Sequence, residues 1–275
     1  MSDAAMEWAD LHTHSNCSDG ADAPAEVAGR AAGLGMSLLA LTDHDTLAGL
    51  AEARSAAAGT GVGFVNGVEI SASFENREVH VTGLGVSEDH PDLNACLGRL
   101  QSARVGRLAA MRDRLSRAGI PVEETPADSP MTGRMHLAVR LHTMGVTRTV
   151  QEGFDRFLKP GRPGWVPKIL CPADEAVALI QAAGGLAFVA HPGLGKGLFT
   201  MLPRLLELPF DGVEAWHVSH TPGMVGDLLA LARERGLLVS GGSDCHGGVK
   251  GKRPEMGKVR VPLGEIGPLL ARLGV

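Results

Sequence analysis

Residues 38–45 have the sequence Leu-Leu-Ala-Leu-Thr-Asp-His-Asp, which joins a short apolar run directly to carboxylate and imidazole side chains. A run of this length and composition is typical of a buried strand. Similar runs, each followed by or containing a histidine or an acidic residue, are Val62–Val65, Val79–Leu84, Leu186–Ala190 and Leu237–Val239. Polar side chains are therefore expected to collect where strands end.

Segments rich in alanine and leucine fill the intervals between these runs. The helical candidates are Pro24–Leu34, Leu47–Ala58, Pro172–Ala183 and Met224–Arg235. Alternating strands and helices with chemistry at the strand ends predict an α/β fold, in the form of a parallel barrel. An open, doubly wound sheet is the competing architecture.

Imidazoles and carboxylates at these strand ends form a candidate metal site. Side chains two apart on a strand point to the same side, so His12 and His14 can bind one cation. The full set is His12, His14, Asp19, His44, Glu69, His80, His191, Asp244 and His246. Imidazole mixed with carboxylate, without thiolate, favours Mn, Fe or Zn over Ca or Cu(I). Nine ligands exceed one tetrahedral site, so two or three divalent ions are expected, a centre suited to phosphate ester hydrolysis.

The composition limits the classes of partner. The 275-residue chain has a formal net charge of −5, which argues against binding to long nucleic acid. It contains no apolar run of about 18 residues and begins with a polar, acidic segment, so a cytoplasmic protein that does not enter membranes is expected. The four cysteines lack CxxC spacing and are read as free thiols. Nothing identifies a subunit interface, so a monomer is expected.

Residues 93–163 depart from the alternating pattern. This stretch is helical and rich in arginine, which predicts an inserted subdomain within a core made of residues 1–92 and 164–275. Arg104 falls within a helical apolar face and Arg107 flanks it, so each is expected either to bind an anion or to form a structural salt bridge. Arg134 and His136 are a second candidate pair for substrate contact.

Two further segments are candidates for phosphate binding or proton transfer. The loop Gly193-Leu194-Gly195-Lys196-Gly197 resembles a phosphate cradle only loosely, because it lacks the spacing of a P-loop. His220 follows a strand-like segment and is expected to face the mouth of the barrel. It is either a substrate contact, a general acid for the leaving oxygen or an ordinary loop histidine.

Six motifs, in order along the chain, closely resemble those of the PHP (polymerase and histidinol phosphatase) phosphoesterases. They are Asp10–Ser15, Ser18–Gly20, Ala40–Thr46, Gly67–Ser71, His191–Pro192 and Gly242–His246. The resemblance implies a distorted (β/α)7 barrel whose strands end at a three-metal centre, with a metal-bridging hydroxide as the nucleophile.

The resemblance also implies a division of the ligands. His12, His14, Glu69 and Asp244 would hold the first ion. Glu69 would bridge to a second ion, held by His80 and His191. Asp19, His44 and His246 would hold the third ion, and Asp43 would support the site beside its neighbouring ligand.

The arginine-rich insertion resembles that of a PHP subgroup containing nucleoside 3′,5′-bisphosphate phosphatases and 5′-to-3′ exoribonucleases. This implies that Arg104, Arg107, Arg134 and His136 recognise the non-reacting phosphate and the ribose of a small nucleotide. The expected function is hydrolysis of the 3′-phosphate of nucleoside 3′,5′-bisphosphates. Exonuclease activity on short RNA or DNA is one alternative, and a non-catalytic, metal-binding regulatory module is another.

Overall fold

The computed structural model describes residues 7–122, 133–195, 197–248 and 255–275. Its strands are β1 Trp8–Asp10, β2 Leu38–Leu41, β3 Gly63–Phe74, β4 Arg77–Leu84, β5 Cys171–Pro172, β6 Leu186–Val189, β7 Gly212–Trp216, β8 Leu238–Gly241 and β9 Val261–Pro262. They form one sheet in the order β8-β7-β6-β4-β3-β2-β1-β9, and β5 pairs with β3.

The sheet curves round so that the segments following β1 and β8 meet. The Leu11 N–H donates to the Gly241 carbonyl at 3.0 Å. Two residues further on, Thr13 and Cys245 form an isolated parallel bridge. These bonds nearly close the sheet into a barrel, which confirms the predicted distorted barrel and excludes the open, doubly wound sheet.

Two strands of the sheet run against the expected direction, β4 and the short β9, which pairs antiparallel with β1. β3 and β4 form a hairpin without an intervening helix, and β4 also pairs antiparallel with β6. The turn uses Glu75 and Asn76, which both have positive φ values. The expectation of an entirely parallel barrel is therefore wrong at β4 and β9. Because β4 is reversed, its first half, with His80 opposite Ser71, lies at the end of the sheet where the parallel strands finish.

The helices lie close to the predicted segments. They are α1 Pro24–Gly33, α2 Leu50–Ala58, α3 Pro91–Arg117, α4 Arg134–Thr143, α5 Val150–Gly153, α6 Ala173–Ala182, α7 Leu198–Leu205, α8 Pro222–Arg235 and α9 Gly267–Leu273. In β2, Leu39 and Leu41 pack in the same core as Val27 of α1, whereas Ala40 packs with Phe188 of β6. The two faces of the strand thus serve two cores, as the alternation of side chains requires.

The chain divides into two compact units, residues 1–97 with 171–275 and residues 98–170. The sequence placed the boundaries at 93 and 163. α3 begins in the first unit and continues into the second, so no break in secondary structure marks that boundary. In the second unit, Leu108, Met111 and Leu115 pack with residues of α4. Among the described helices, none is long and apolar enough to span a membrane.

Candidate metal centre

Glu69, in the middle of β3, is the centre of the candidate site. Its side chain is fully buried. Oε1 lies 2.8 Å from Nδ1 of His80 and 2.8 Å from Nε2 of His191, and Oε2 lies 2.9 Å from Nδ1 of His44. One carboxylate therefore contacts imidazoles from three different segments of the chain.

The other side of Glu69 faces the pair predicted at the end of β1. Nε2 of His12 and Nε2 of His14 lie 3.2 and 3.3 Å from Oε2 of Glu69, and 3.6 and 3.0 Å from Oδ1 of Asp244. For bonds of about 2.1 Å to a tetrahedral ion, ligand atoms are separated by about 3.4 Å. The four side chains therefore have the spacing of a coordination shell.

A further group lies around Asp19. Oδ1 of Asp19 is 3.1 Å from Nε2 of His246 and 3.8 Å from Nε2 of His44. The His14 and His246 rings stack with centroids 4.2 Å apart. One ligand atom from each of these four residues lies within 4.8 Å of the others. The structure thus brings together the residues predicted for the third ion and places His14 beside them.

Several buried polar atoms of these groups lack hydrogen bonds in the described part of the chain. They include Nε2 of His12, both ring nitrogens of His14, Nδ1 of His44, Oε2 of Glu69 and Nδ1 of His191. Some lie within 3.3 Å of one another but lack the angles of a hydrogen bond, so they do not satisfy each other. Buried polar atoms without partners are costly. Divalent cations would supply the missing partner, and the mixed imidazole and carboxylate donors suit them.

Backbone strain is concentrated at three residues of the site. His191 has φ 27°, Asp244 has φ 53° and Asp45 has φ 54°. Such conformations in non-glycine residues cost of order 1–3 kcal/mol and collect at functional sites. Asp45 is held by accepting a hydrogen bond from the Ser71 N–H at 2.7 Å. The fold thus forces the two ligand candidates, His191 and Asp244, into positions that an unconstrained chain would avoid.

Glu214, on β7, lies behind the ligand candidates and orients two of them. Its Oε1 is 2.9 Å from Nδ1 of His12, and its Oε2 accepts the His191 N–H at 2.6 Å. Burial alone would raise the pKa of the Glu214 carboxyl, but the adjacent His12 ring lowers it. A carboxylate that accepts the Nδ1 proton leaves Nε2 of His12 to bind a metal. The sequence alone did not assign this role to Glu214.

A Glu214→Gln variant is expected to bind divalent metal about 10- to 100-fold more weakly, because carboxylates behind a ligand histidine typically contribute that much. The side chain keeps its size but loses the charge that fixes the His12 tautomer. Metal titration of the chelator-treated protein measures the effect. Glu234→Gln, on the exposed side of α8, is the control and should bind like the wild type. An unaltered affinity in Glu214→Gln would remove Glu214 from the site.

Asp43 organises a turn beside the site. Its Oδ1 accepts the Ser15 N–H at 2.7 Å and its Oδ2 accepts the Ser15 hydroxyl at 2.6 Å. The Ser18 hydroxyl donates to the same carboxylate. This arrangement suits a supporting role, because it fixes the turn that leads to Asp19. A catalytic role for Asp43 stays a prediction.

His220 contacts backbone groups with both ring nitrogens. Nδ1–H donates to the Ala215 carbonyl at 2.8 Å, and Nε2 accepts the Gly193 N–H at 3.0 Å. Burial lowers the pKa of His220, which favours this neutral ring. The geometry attaches the loop after His191 to the segment after β7. Proton donation to a leaving oxygen would require Nε2 to release Gly193, and it stays a prediction.

His217 lies at the centre, although the sequence alone did not assign it a role. Its Nε2 is 3.4 Å from Oδ2 of Asp244 and has no hydrogen bond in the described structure, whereas Nδ1 lies 2.7 Å from the Ser219 hydroxyl. The available signal was its position directly after β7, three residues beyond Glu214. His217 is thus a further candidate ligand.

The insertion brings two of its predicted substrate contacts together within the second unit. The guanidinium groups of Arg107 and Arg134 lie 5.5 and 5.2 Å from the centre of the Trp165 ring. Nε of Arg107 donates to the Val166 carbonyl at 2.8 Å. Nδ1 of His136 accepts the Gly133 N–H at 3.0 Å at the start of α4. Arg104 is half-buried on α3. Their contacts with substrate stay predictions.

Two histidines of the centre have raised pKa values. Burial lowers the pKa of His80, but the Glu69 carboxylate outweighs this and raises it to about 10. Burial also lowers the pKa of His246, and the hydrogen bond and charge of Asp19 raise it to about 9. Both rings therefore carry a proton at neutral pH in the metal-free protein.

Metal binding is expected to release protons and to strengthen as the pH rises from 7 to about 9. A raised pKa keeps the ring protonated below that value, so a metal ion must displace the proton. Calorimetric titration in two buffers with different ionisation enthalpies measures the proton release. Identical heats in both buffers, together with a pH-independent affinity, would contradict the prediction.

A cavity of about 450 Å³ lies in the first unit beside two of the ligand candidates, His80 and His191. The remaining lining residues are Arg77, Glu78, Val79, Leu194, Gly195, Leu198 and Met201. The cavity combines an apolar wall with one guanidinium group.

Comparison with known proteins shows close similarity over most of the chain. A family model described as the PHP domain matches residues 10–156. The chain is 40% identical over 254 residues, 89% of each protein, to a 3′,5′-nucleoside bisphosphate phosphatase of Chromobacterium violaceum. It is 36% identical over 245 residues to a 5′-3′ exoribonuclease of Haemophilus influenzae, covering 86% of this chain and 89% of that one. The solved structure of a metal-dependent phosphoesterase from Bifidobacterium adolescentis is similar, with a TM-score of 0.81 and 29% identity, covering 97% of this chain and 96% of that one.

Proposed function

The chain belongs to the PHP family, and we propose on this basis that it is a metal-dependent phosphoesterase for small nucleotides. The proposed substrates are nucleoside 3′,5′-bisphosphates, from which the 3′-phosphate is removed. The observation that carries the proposal is the buried Glu69 carboxylate, which lies within 3.3 Å of imidazole nitrogens from five histidines. The name of the Chromobacterium violaceum relative supports the choice of substrate.

The proposed cofactor is a set of two or three divalent ions, with manganese as the first choice and iron or zinc as alternatives. The proposed ligands are His12, His14, Asp19, His44, Glu69, His80, His191, Asp244 and His246. Divalent ions in such a centre activate water and offset charge on the phosphoryl and leaving oxygens. Glu69 is the shared ligand because both of its oxygens face histidines.

Other side chains of the first unit prepare this centre. Glu214 holds His12 in the tautomer whose Nε2 is available for binding. Asp43 fixes the turn that carries Asp19. His220 attaches the loop after His191 to the barrel, and its Nε2 is the candidate donor for the leaving oxygen if it exchanges Gly193 for substrate.

We further propose that Arg104, Arg107, Arg134 and His136 bind the non-reacting phosphate and the ribose. Guanidinium groups suit this task because they donate two parallel hydrogen bonds to a phosphate. The approach of Arg107 and Arg134 to the same Trp165 ring supports the proposal, since it concentrates positive charge in one part of the insertion. We also propose that the protein is a cytoplasmic monomer that binds neither membranes nor long nucleic acid.

An Arg104→Ala variant is expected to raise the KM for adenosine 3′,5′-bisphosphate about 10- to 100-fold with little change in kcat. The reason is the loss of a charged hydrogen bond, which contributes about 1.5–3 kcal/mol. Arg117→Ala is the matched control on α3, because Arg117 is exposed and pairs with Asp113. Steady-state kinetics measure both variants. An unchanged KM in Arg104→Ala would exclude Arg104 from the phosphate site.

Cleavage of short 5′-phosphorylated oligonucleotides is a second candidate activity. The cavity beside His80 and His191 favours it, because it offers space next to the reacting phosphate that a monoester does not require. The name of the Haemophilus influenzae relative also supports this activity.

The proposed function is tested by phosphate release from adenosine 3′,5′-bisphosphate in the presence of Mn²⁺. Wild-type protein is compared with Asp244→Asn after metal content has been measured in both. Rapid release that is lost in the variant would support the nucleotide phosphatase. Absence of release from metal-loaded wild type would exclude it and direct the search to oligonucleotides.

A further inference from the structure

The cavity beside His80 and His191 has the size and the lining of a nucleotide subsite. Its volume of about 450 Å³ lies within the range of small-molecule sites, roughly 300–1,000 Å³. The two histidines form one of its borders and also contact Glu69 at 2.8 Å. A group in this cavity therefore lies directly beside a phosphate held at the metal centre.

The two kinds of lining match the two parts of a nucleotide. Val79, Leu194, Leu198 and Met201 provide an apolar wall suited to the face of a base. Arg77, the first residue of β4, provides the guanidinium that a phosphate requires. Oε1 of Glu78 lies 3.4 Å from Nε2 of His80, so this carboxylate is paired with that imidazole.

The walls of the cavity are fixed by specific contacts. His220 accepts the Gly193 N–H and so holds the start of the loop that follows His191. Arg204 of α7 forms an ion pair at 3.0 Å with Glu75 in the β3–β4 turn, close to the part of the chain that carries Arg77 and Leu198. The His220 contact attaches the loop to the segment after β7, and the exposed Arg204–Glu75 pair adds only a weak link between α7 and the hairpin.

The backbone conformation of Gly197 accounts for one of the glycines in the loop Gly193-Leu194-Gly195-Lys196-Gly197. Its φ is 95°, and a Cβ atom there would lie 2.7 Å from Nη1 of Arg77. The positive φ favours glycine here, and any larger residue would also displace the flexible end of Arg77 from its present position. Lys196 of the same loop lies outside the described residues.

We propose that this cavity binds the nucleotide that follows the scissile phosphate in a short 5′-phosphorylated oligonucleotide, and that Arg77 contacts the next phosphate along the strand. The proposal rests on the proposed function of the same metal centre. A reacting monoester carries one organic group, whereas a reacting diester carries two and needs a second subsite. The cavity provides that second subsite.

The reaction at the phosphorus is the same for both substrates. Water adds its oxygen to phosphorus, the bond from phosphorus to the 3′-oxygen breaks, and that oxygen leaves with a proton. One product is in both cases a nucleoside 5′-phosphate with a free 3′-hydroxyl. From a bisphosphate the other product is inorganic phosphate. From an oligonucleotide it is the remaining strand with a new 5′-phosphate, which the cavity would hold.

The test compares two substrates in three proteins. The substrates are adenosine 3′,5′-bisphosphate and a 5′-phosphorylated adenosine trinucleotide, and the proteins are wild type, Arg77→Ala and Arg233→Ala. Arg233 is the control because it is exposed on α8 and does not line the cavity. We expect Arg77→Ala to raise the KM for the first cleavage of the trinucleotide about 10- to 100-fold. The KM for the bisphosphate should stay within about twofold, and Arg233→Ala should match the wild type.

A second variant tests the apolar wall without disturbing the core. Leu194 is 46% exposed, so Leu194→Glu should fold normally while adding a negative charge to the cavity. It too should impair the trinucleotide selectively. Equal losses for both substrates would overturn the proposal and assign the cavity to the nucleoside of the monoester. Loss of neither activity, or a wild type that cleaves only the bisphosphate, would also overturn it while leaving the proposed function intact. A wild type inactive on both substrates would remove the proposed function itself.

Discussion

Asp244→Asn is expected to lower kcat/KM for the nucleotide substrate by about 10³-fold or more while the protein remains folded. Oδ1 of Asp244 lies 3.0 Å from Nε2 of His14, and Oδ2 lies 3.4 Å from Nε2 of His217. The amide keeps the shape of the side chain but removes the negative charge from a group of imidazoles and metal ions. A 10³-fold loss corresponds to about 4 kcal/mol of transition-state stabilisation, which is the scale expected when a charged ligand of a catalytic metal centre is neutralised.

The fold should tolerate this change because the Asp244 side chain is 18% exposed and the backbone of the residue is unaltered. Circular dichroism and thermal melting of the metal-free protein check this, and metal analysis checks occupancy. Asp227→Asn on α8 is the control for replacing an aspartate outside the centre. A variant that keeps both its metal and its full activity would show that the ligand assignment is wrong.

Glu69→Gln is expected to have the larger effect on stability, as well as abolishing metal binding. Burial would raise the pKa of the Glu69 carboxyl, but the neighbouring His44, His12 and His80 hold it well below its usual value. A depressed pKa means that the ionised carboxylate stabilises the folded state fully above pH 4.5, and that this effect is lost progressively as the pH falls from 4.5 through the folded pKa. With glutamine at this position the protonated imidazoles lose their central counter-charge. We expect a loss of about 3–5 kcal/mol in the metal-free protein at neutral pH.

Thermal or urea unfolding in the presence of a chelator measures this loss. Glu234→Gln, which removes a carboxylate from the exposed face of α8, should unfold like the wild type. The difference between Glu69→Gln and wild type should persist as the pH is lowered to about 4.5, the usual pKa of a glutamate. A Glu69→Gln protein as stable as the wild type would mean that the centre does not depend on this charge.

Much of the barrel could be predicted because buried strands and their polar ends are local features of the sequence. The apolar run at 38–41 forms β2 as expected, and the neighbouring His44 forms a bridge with Glu69. The helix predicted at Pro24 begins at that residue. Each of these elements follows from the order of a few adjacent residues, so distant contacts are not needed to recognise it.

Features that depend on distant contacts could not be predicted. The apolar pattern of β4 is the same in either direction, so the sequence did not reveal that this strand runs antiparallel. The contact of His217 with Asp244 joins the ends of two strands, and no local motif marks it. The hydrogen bond from the Gly193 N–H to His220 likewise depends on the path of the loop rather than on its composition.

The reversed strand also affects the order in which the centre can assemble. Glu69 and His80 are 11 residues apart because the hairpin returns at once, whereas Glu69 and His191 are 122 residues apart. The chain entropy lost on joining two residues grows with the logarithm of their separation, so the hairpin pair costs about 2 kcal/mol less to bring together. Glu69 and His80 can therefore meet early during folding, as a two-residue seed to which the remaining ligands are added as the barrel closes.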